Sequence, residues 1–253
     1  MIKQIFKEVA STTLFNAGRL IVNTVSEDDL VKYILHELDT KGWYLLKGYL
    51  EKNKCNELID EMEALLSSKK TTDNYWTDNN NSDQRFYRVQ EISSKFNFFL
   101  KDTFLKKIEN KYLGLHRDAI DNVLINKVSF ISNNLGSGGG WHRDSPHTNQ
   151  FKAIAYLADV NEKSGPFQFI DGSHKFWDSL KMYIGGLFTT SQYRFTEEEV
   201  DAILLKCGQL KLSTFTASAG DVILVNTKGI HRGKPVEDGV RYAATIYYND
   251  KIF

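Results

Sequence analysis

Residues 220–248, "GDVILVNTKGIHRGKPVEDGVRYAATIYY", decide the fold. Two β-type runs, "DVILVNT" and "RYAATIYY", flank a turn-rich linker that carries His231. In the second run Arg241, Ala243, Thr245 and Tyr247 share one face by alternation. Three of these are not bulky apolar residues, so that face suits a cavity wall. The same texture extends back to about residue 122, through "VLINKVSFIS", "FKAIAYLADV", "PFQFIDG" and "LKLSTFTA". Short strands punctuated by Gly, Asn and Asp predict an antiparallel sandwich or barrel. One helix is expected among them, at about 196–207, with Thr196 and Glu199 as its capping box.

Upstream the pattern is helical. Residues 26–41 carry a Ser26/Asp29 capping pattern and a stripe of Leu30, Ile34, Leu35 and Leu38. "WYLLKGYL" reads as a short strand, 51–67 as a second helix and 98–112 as a third. The polar stretch 68–85 is expected to be a long loop. Helices first and strands second make the chain α+β. One domain over 1–253 is expected, with a helical part at about 1–121, a β core at about 122–250 and a lid-like insertion at about 181–213. Lys and Arg number 32, balanced by 32 Asp and Glu. No positive field favours nucleic acid. No long apolar segment suggests a membrane span, and Cys55 and Cys207 form no motif, so a cytoplasmic protein is expected.

The tripeptide His-Arg-Asp occurs twice, at 116–118 and 142–144. A protein-kinase catalytic loop uses these letters, and Asn149 even stands five residues after Asp144. Yet there is no Asp-Phe-Gly, and "GSGGGW" places Trp141 where a phosphate-binding loop needs its last glycine. The glycines read instead as a tight turn into a strand. In an extended "WHRD", His142 and Asp144 project together, and His231 is the best third partner. Two histidines and one carboxylate with open positions suit ferrous iron. Ten residues on, Arg241 calls for an anion if buried, and its fork fits a carboxylate.

These segments resemble the phytanoyl-CoA dioxygenase family of iron(II)- and 2-oxoglutarate-dependent oxygenases. "WHRD" looks like the family's first ligand strand. "NEKSGPFQFIDGSHK" is similar to its Asn-Gly-x-x-x-x-x-Pro-Gly-Ser-His turn, with Ser164 and Asp171 departing from the usual Asn and Pro. The 220–248 stretch resembles its distal His and Arg segment, and "GWYLLKGYLEKNKCNELIDEME" its amino-terminal strand–helix. The resemblance implies a double-stranded β-helix (jelly-roll, cupin-like) core flanked by helices. It implies Fe(II) on His142, Asp144 and His231, with Arg241 gripping the distal carboxylate of 2-oxoglutarate and O2 as oxidant. It places Ser129 and Tyr156 at further cosubstrate contacts. Family halogenases lack the carboxylate ligand, so Asp144 favours hydroxylation of a small-molecule substrate, with succinate and CO2 released.

Two other classes stay open: a cupin-like isomerase or hydrolase that uses no 2-oxoglutarate, and a non-catalytic binding protein. His147 reads as a loop or cavity-mouth residue, His174 as structural, His36 as surface, and the first His-Arg-Asp copy as a surface junction.

Overall fold

In the computed structural model, which describes residues 29–68, 73–114 and 121–248, the alternation at the end of the chain becomes the middle of a large sheet. Strand β10 (Val240–Tyr248) lies between β4 (Asn122–Ser129) and β5 (Phe151–Tyr156), antiparallel to both. Strands β8 (Val222–Asn226) and β1 (Trp43–Leu46) extend this sheet beyond β5, while β3 (Asp83–Phe86) and β2 (Tyr75–Thr77) extend it beyond β4. A second, three-stranded sheet is ordered β7 (Leu212–Phe215), β6 (Phe167–Ile170), β9 (His231–Gly233). The two sheets make the jelly roll.

Strand alternation divides the large sheet into two chemical faces. Val123, Ile125, Ala153, Ala155, Ala244 and Ile246 point outward into the main apolar core. That core is completed by α1 (Asp29–Thr40), α2 (Lys52–Ser67), α3 (Asn97–Lys101) and α4 (Thr103–Leu113). The inner face meets the small sheet, where Tyr156, Ile223, Val225 and Ala243 pack with Phe167, Phe169 and Phe215. One end of this inter-sheet space is a polar cavity.

Several expectations are corrected. In α1 the buried stripe is Val31, Ile34, Leu35 and Leu38. Leu30, one residue or about 100° round the helix from Val31, is 48% exposed. Ser26 lies outside the described residues. The single helix expected at 98–112 is two, because Asp102 is extended and caps α4, accepting from the Leu105 N–H at 2.9 Å. The 68–85 stretch is no featureless loop, since β2 and β3 form a hairpin in it. Its tip is built on Asp78, whose carboxylate accepts from the N–H groups of Ser82 (2.6 Å) and Asp83 (3.2 Å). The Asn and Asp density there is turn chemistry.

The insertion between β6 and β7 begins near residue 171, earlier than expected, and contains a helix that was not expected, α5 (Phe176–Ile184). It also holds α6 (Glu197–Lys206), whose Thr196/Glu199 capping box is present. Phe188, Phe195, Val200 and Ile203 of this insertion form a second apolar cluster with Trp141. No helix among the described residues is long and apolar enough to cross a membrane.

Candidate metal centre

His142 forms an isolated antiparallel bridge with His231 of β9, and the segment expected to be a strand is otherwise irregular. Two backbone hydrogen bonds, each 2.8 Å, tie His142 to His231. A third, from Asp144 N–H to Thr227 O at 2.9 Å, holds the motif against the loop that follows β8. This pairing brings the two imidazole centroids to 4.2 Å. The glycine run before it has a steric purpose. Gly138 has φ +86°, and a Cβ there would sit 2.3 Å from the His142 ring.

Both histidines are oriented by the same device. Nδ1 of His142 donates to the Gly140 carbonyl, and Nδ1 of His231 to the Gly229 carbonyl, each at 2.9 Å. A carbonyl only accepts, so Nδ1 carries the proton and Nε2 presents its lone pair. Burial pushes the His142 pKa down to about 3 and lowers that of His231 as well, so both rings are neutral at pH 7. Asp144 Oδ1 lies 3.8 Å from His142 Nε2, and Oδ2 lies 3.9 Å from His231 Nε2. All three ligand atoms fall within 4.8 Å of one another. Such gaps are too wide for hydrogen bonds. One ion with bonds of about 2.1 Å bridges gaps up to about 4.2 Å, which takes in both His–Asp separations, 3.8 and 3.9 Å. Two lone pairs and a carboxylate aimed at one point therefore fit a divalent cation.

The carboxylate has a cationic neighbour. Lys152, buried on β5, places Nζ 2.6 Å from Asp144 Oδ2. Burial alone would raise the Asp144 pKa, but the Lys152 ammonium holds it well below the usual carboxylate range.

Arg241 shares a cavity of about 240 Å³ with this triad. Its guanidinium is buried, donates to the Gly165 carbonyl, and leaves Nε without a partner. Among the described residues no carboxylate forms a salt bridge with it, and burial depresses its pKa. Ala243, Thr245 and Tyr247 line the cavity with it, as the alternation of β10 requires. Gly233 keeps room beside the guanidinium, since a Cβ there would lie 3.0 Å from Nη1. Tyr156 faces the same space, its hydroxyl accepting from the Phe167 N–H at 2.8 Å.

Ser129 is not brought to the cavity. It ends β4, and the even-numbered Leu124 and Asn126 hold that strand's lining positions. His147 sits in the loop after the ligand motif and is not a lining residue. His174 is buried against Gly42, and His36 is exposed on α1. The 116–118 copy of His-Arg-Asp lies outside the described residues.

Sequence reasoning missed Lys152, Arg85 and Arg194. Lys152 had a signal: it alternates with Ile154 and Tyr156 in the otherwise apolar run "FKAIAY". Arg85, on β3, is paired with Asp83 and points into the cavity mouth. Arg194 reaches in from the insertion and hydrogen-bonds the Gly138 and Gly139 carbonyls. The residue between the ligands, Arg143, is buried and faces the other way. Its Nε and Nη2 donate to the Gln192 and Thr190 carbonyls at 2.8 and 3.0 Å, and its guanidinium stacks 4.9 Å from the Phe188 ring centre.

Residues 38–240 match the sequence profile of the family described as Phytanoyl-CoA dioxygenase (PhyH). The chain belongs to the phytanoyl-CoA dioxygenase family. No curated protein matches it by sequence. Among solved structures it is similar to SnoN, an epimerase from nogalamycin biosynthesis, in complex with Fe3+, α-ketoglutarate and nogalamycin RO. That match has TM-score 0.64 and 13% identity, covering 88% of this chain and 85% of that one. SnoK, an α-ketoglutarate-dependent carbocyclase from the same biosynthesis, matches with TM-score 0.61 and 15% identity over 90% of this chain and 85% of that one. HygX from Streptomyces hygroscopicus, with nickel, 2-oxoglutarate and hygromycin B bound, matches with TM-score 0.56 and 15% identity over 88% of each chain. At these identities the structural matches speak for the jelly-roll fold.

Proposed function

We propose that this phytanoyl-CoA dioxygenase family member is an Fe(II)- and 2-oxoglutarate-dependent oxygenase. It hydroxylates a small molecule in the cytoplasm and releases succinate and CO2. The observation that carries the proposal is the enclosure of a His142/Asp144/His231 donor set and an unpaired Arg241 guanidinium in one cavity. Iron and 2-oxoglutarate together supply O2 activation coupled to oxidative decarboxylation of the oxoacid.

The chain's own residues do the rest. His142 and His231 present neutral Nε2 atoms, fixed by their Nδ1 hydrogen bonds. Asp144 would supply the single negative ligand. Arg241 would hold the distal carboxylate of 2-oxoglutarate, with the Tyr156 hydroxyl beside it. Ser129, which does not line the cavity, is given no part. Phe167, buried on β6, lines the cavity beside the His231 ring and keeps water from that side.

A cavity of about 240 Å³ is smaller than the roughly 300–1,000 Å³ usual for small-molecule sites. The substrate therefore extends into the adjoining groove of about 530 Å³, which shares Arg85, Gly138 and Arg194 with the cavity. Trp76, Tyr87 and Leu135 line that groove and are exposed. Nogalamycin RO and hygromycin B, carried by two structures of this fold, support a small-molecule substrate.

The test is anaerobic titration with Fe(II) and then 2-oxoglutarate, read by the visible metal-to-ligand charge-transfer band. Wild-type protein is expected to give the band and, in air, succinate. His142→Ala loses metal binding, whereas Arg241→Leu keeps the metal and loses 2-oxoglutarate. A metal-dependent activity that survives in Arg241→Leu without 2-oxoglutarate would establish the cupin-like isomerase or hydrolase instead.

A further inference from the structure

Lys152 is the one buried cation of the cavity that the proposed chemistry leaves without a task. Strand β5 alternates Phe151, Ala153 and Ala155 toward the helices with Lys152, Ile154 and Tyr156 toward the cavity. Lys152 is thus committed to the interior by register and is 6% exposed. Its Nζ lies 2.6 Å from Asp144 Oδ2 and 4.0 Å from the centre of the Tyr247 ring, its cross-strand neighbour on β10. An isolated carboxylate beside two neutral imidazoles would be costly to bury. The ammonium supplies the missing positive charge, and the aromatic face braces it. Two neutral imidazoles, one carboxylate and one ammonium sum to no net charge.

Resting on the reading of His142, Asp144 and His231 as metal ligands, we infer that Lys152 is the counter-ion that stands in for the metal in the metal-free protein. It holds Asp144 in the ligand position before the metal arrives, and it limits how tightly the metal binds. An ordinary orienting partner works in one direction only: its removal weakens metal affinity about 10–100-fold. A cationic partner adds a second effect of opposite sign, because its charge repels the incoming dication across a poorly screened interior. Like-charge repulsion at this range outweighs the ordering of a single carboxylate that already sits on a paired backbone. Lys152 is therefore a positioning residue whose loss tightens metal binding while it destabilises the metal-free protein.

Calorimetric titration of full-length wild type, Lys152→Met and Lys152→Arg with Mn(II), and anaerobically with Fe(II), tests the inference alongside thermal unfolding of the metal-free proteins. Lys152→Met keeps an unbranched side chain one atom shorter and removes its charge. It is expected to bind Mn(II) about tenfold more tightly, to melt lower when metal-free, and to gain more on metal addition than wild type. Lys152→Arg keeps the charge and is expected to stay near wild type. Should Lys152→Met fail to fold without metal, Lys152→Gln is titrated in its place. Unchanged or weaker binding by the charge-free variant overturns the inference and makes Lys152 a plain orienting partner. Wild-type protein that takes up no metal at all overturns the metal reading itself, and this inference with it.

Discussion

His142 and His231 are held neutral by burial, and His174 is too, its pKa pushed down to about 3. In the unfolded chain all three return to about 6.5. The unfolded state then binds more protons than the folded state below that pH. The stability they contribute is complete above pH 6.5 and is lost as pH falls toward the folded values; for His142 and His174, with folded values of about 3, the loss is about 1.4 kcal/mol per pH unit each. Metal-free protein is therefore expected to lose stability steeply between pH 6.5 and 4.5 in denaturant titrations. His174→Gln should flatten that slope by about one proton while leaving metal binding intact. At this scale the site was legible where spacing carries it. His231 and Arg241 stand on strands, and His142 and Asp144 lie two residues apart on a segment bridged to the first of them. Lys152 and Arg85 were not legible as site residues, because a charged residue on a strand declares its role only through its partner. Asp144 is a near neighbour of Lys152 in sequence, but the chain must turn between them before Nζ meets Oδ2.

The elements divide the same way. β10, β8 and α6 could be read directly, since period and capping residues agree in them. The β2–β3 hairpin could not, because its strands are only three and four residues long and its turn is held by the Asp78 side chain. Asp78 is the residue to test. Asp78→Ala removes the acceptor for the Ser82 and Asp83 N–H groups and for the Ser82 hydroxyl. A loss of about 1–2 kcal/mol is expected, with faster amide exchange over 75–86 and unchanged metal binding. The glycine turn before His142 makes a second element-scale prediction. Gly138→Ala puts a methyl where the His142 ring lies, at a positive φ that alanine disfavours. Metal affinity should fall while the fold, followed by circular dichroism, persists. Ser129 shows the limit of alignment at this scale. Its neighbour Val128 faces Arg241 across the β4–β10 register, so a shift of one position sends a side chain to the other side of the sheet.

Across the whole molecule, Arg241 sets function against stability. A buried guanidinium with a free Nε destabilises the unliganded protein. Arg241→Leu is expected to raise the melting temperature of ligand-free protein, on the order of 1 kcal/mol, and to abolish the further rise on adding 2-oxoglutarate. In wild type with metal, cosubstrate at about 100 times its dissociation constant should add about 2.7 kcal/mol. Differential scanning fluorimetry with and without 2-oxoglutarate separates the two effects. The jelly roll itself was legible because strand texture spans half the chain. The insertion was placed too late because the apolar letters of α5 do not mark its buried face: Trp177 and Ile184 are exposed, while Ser179 and Met182 are buried.

Arg143 bears on how such an enzyme is re-engineered. It stands between two ligand residues yet is socketed in the insertion, among the Thr190 and Gln192 carbonyls and the Phe188 and Phe195 rings. The wall of the entrance is thus riveted to the backbone that aims the ligands. A loop transplanted from a relative to alter substrate range must bring a matching socket for this arginine. Otherwise the graft reshapes the doorway and unseats His142 and Asp144 together.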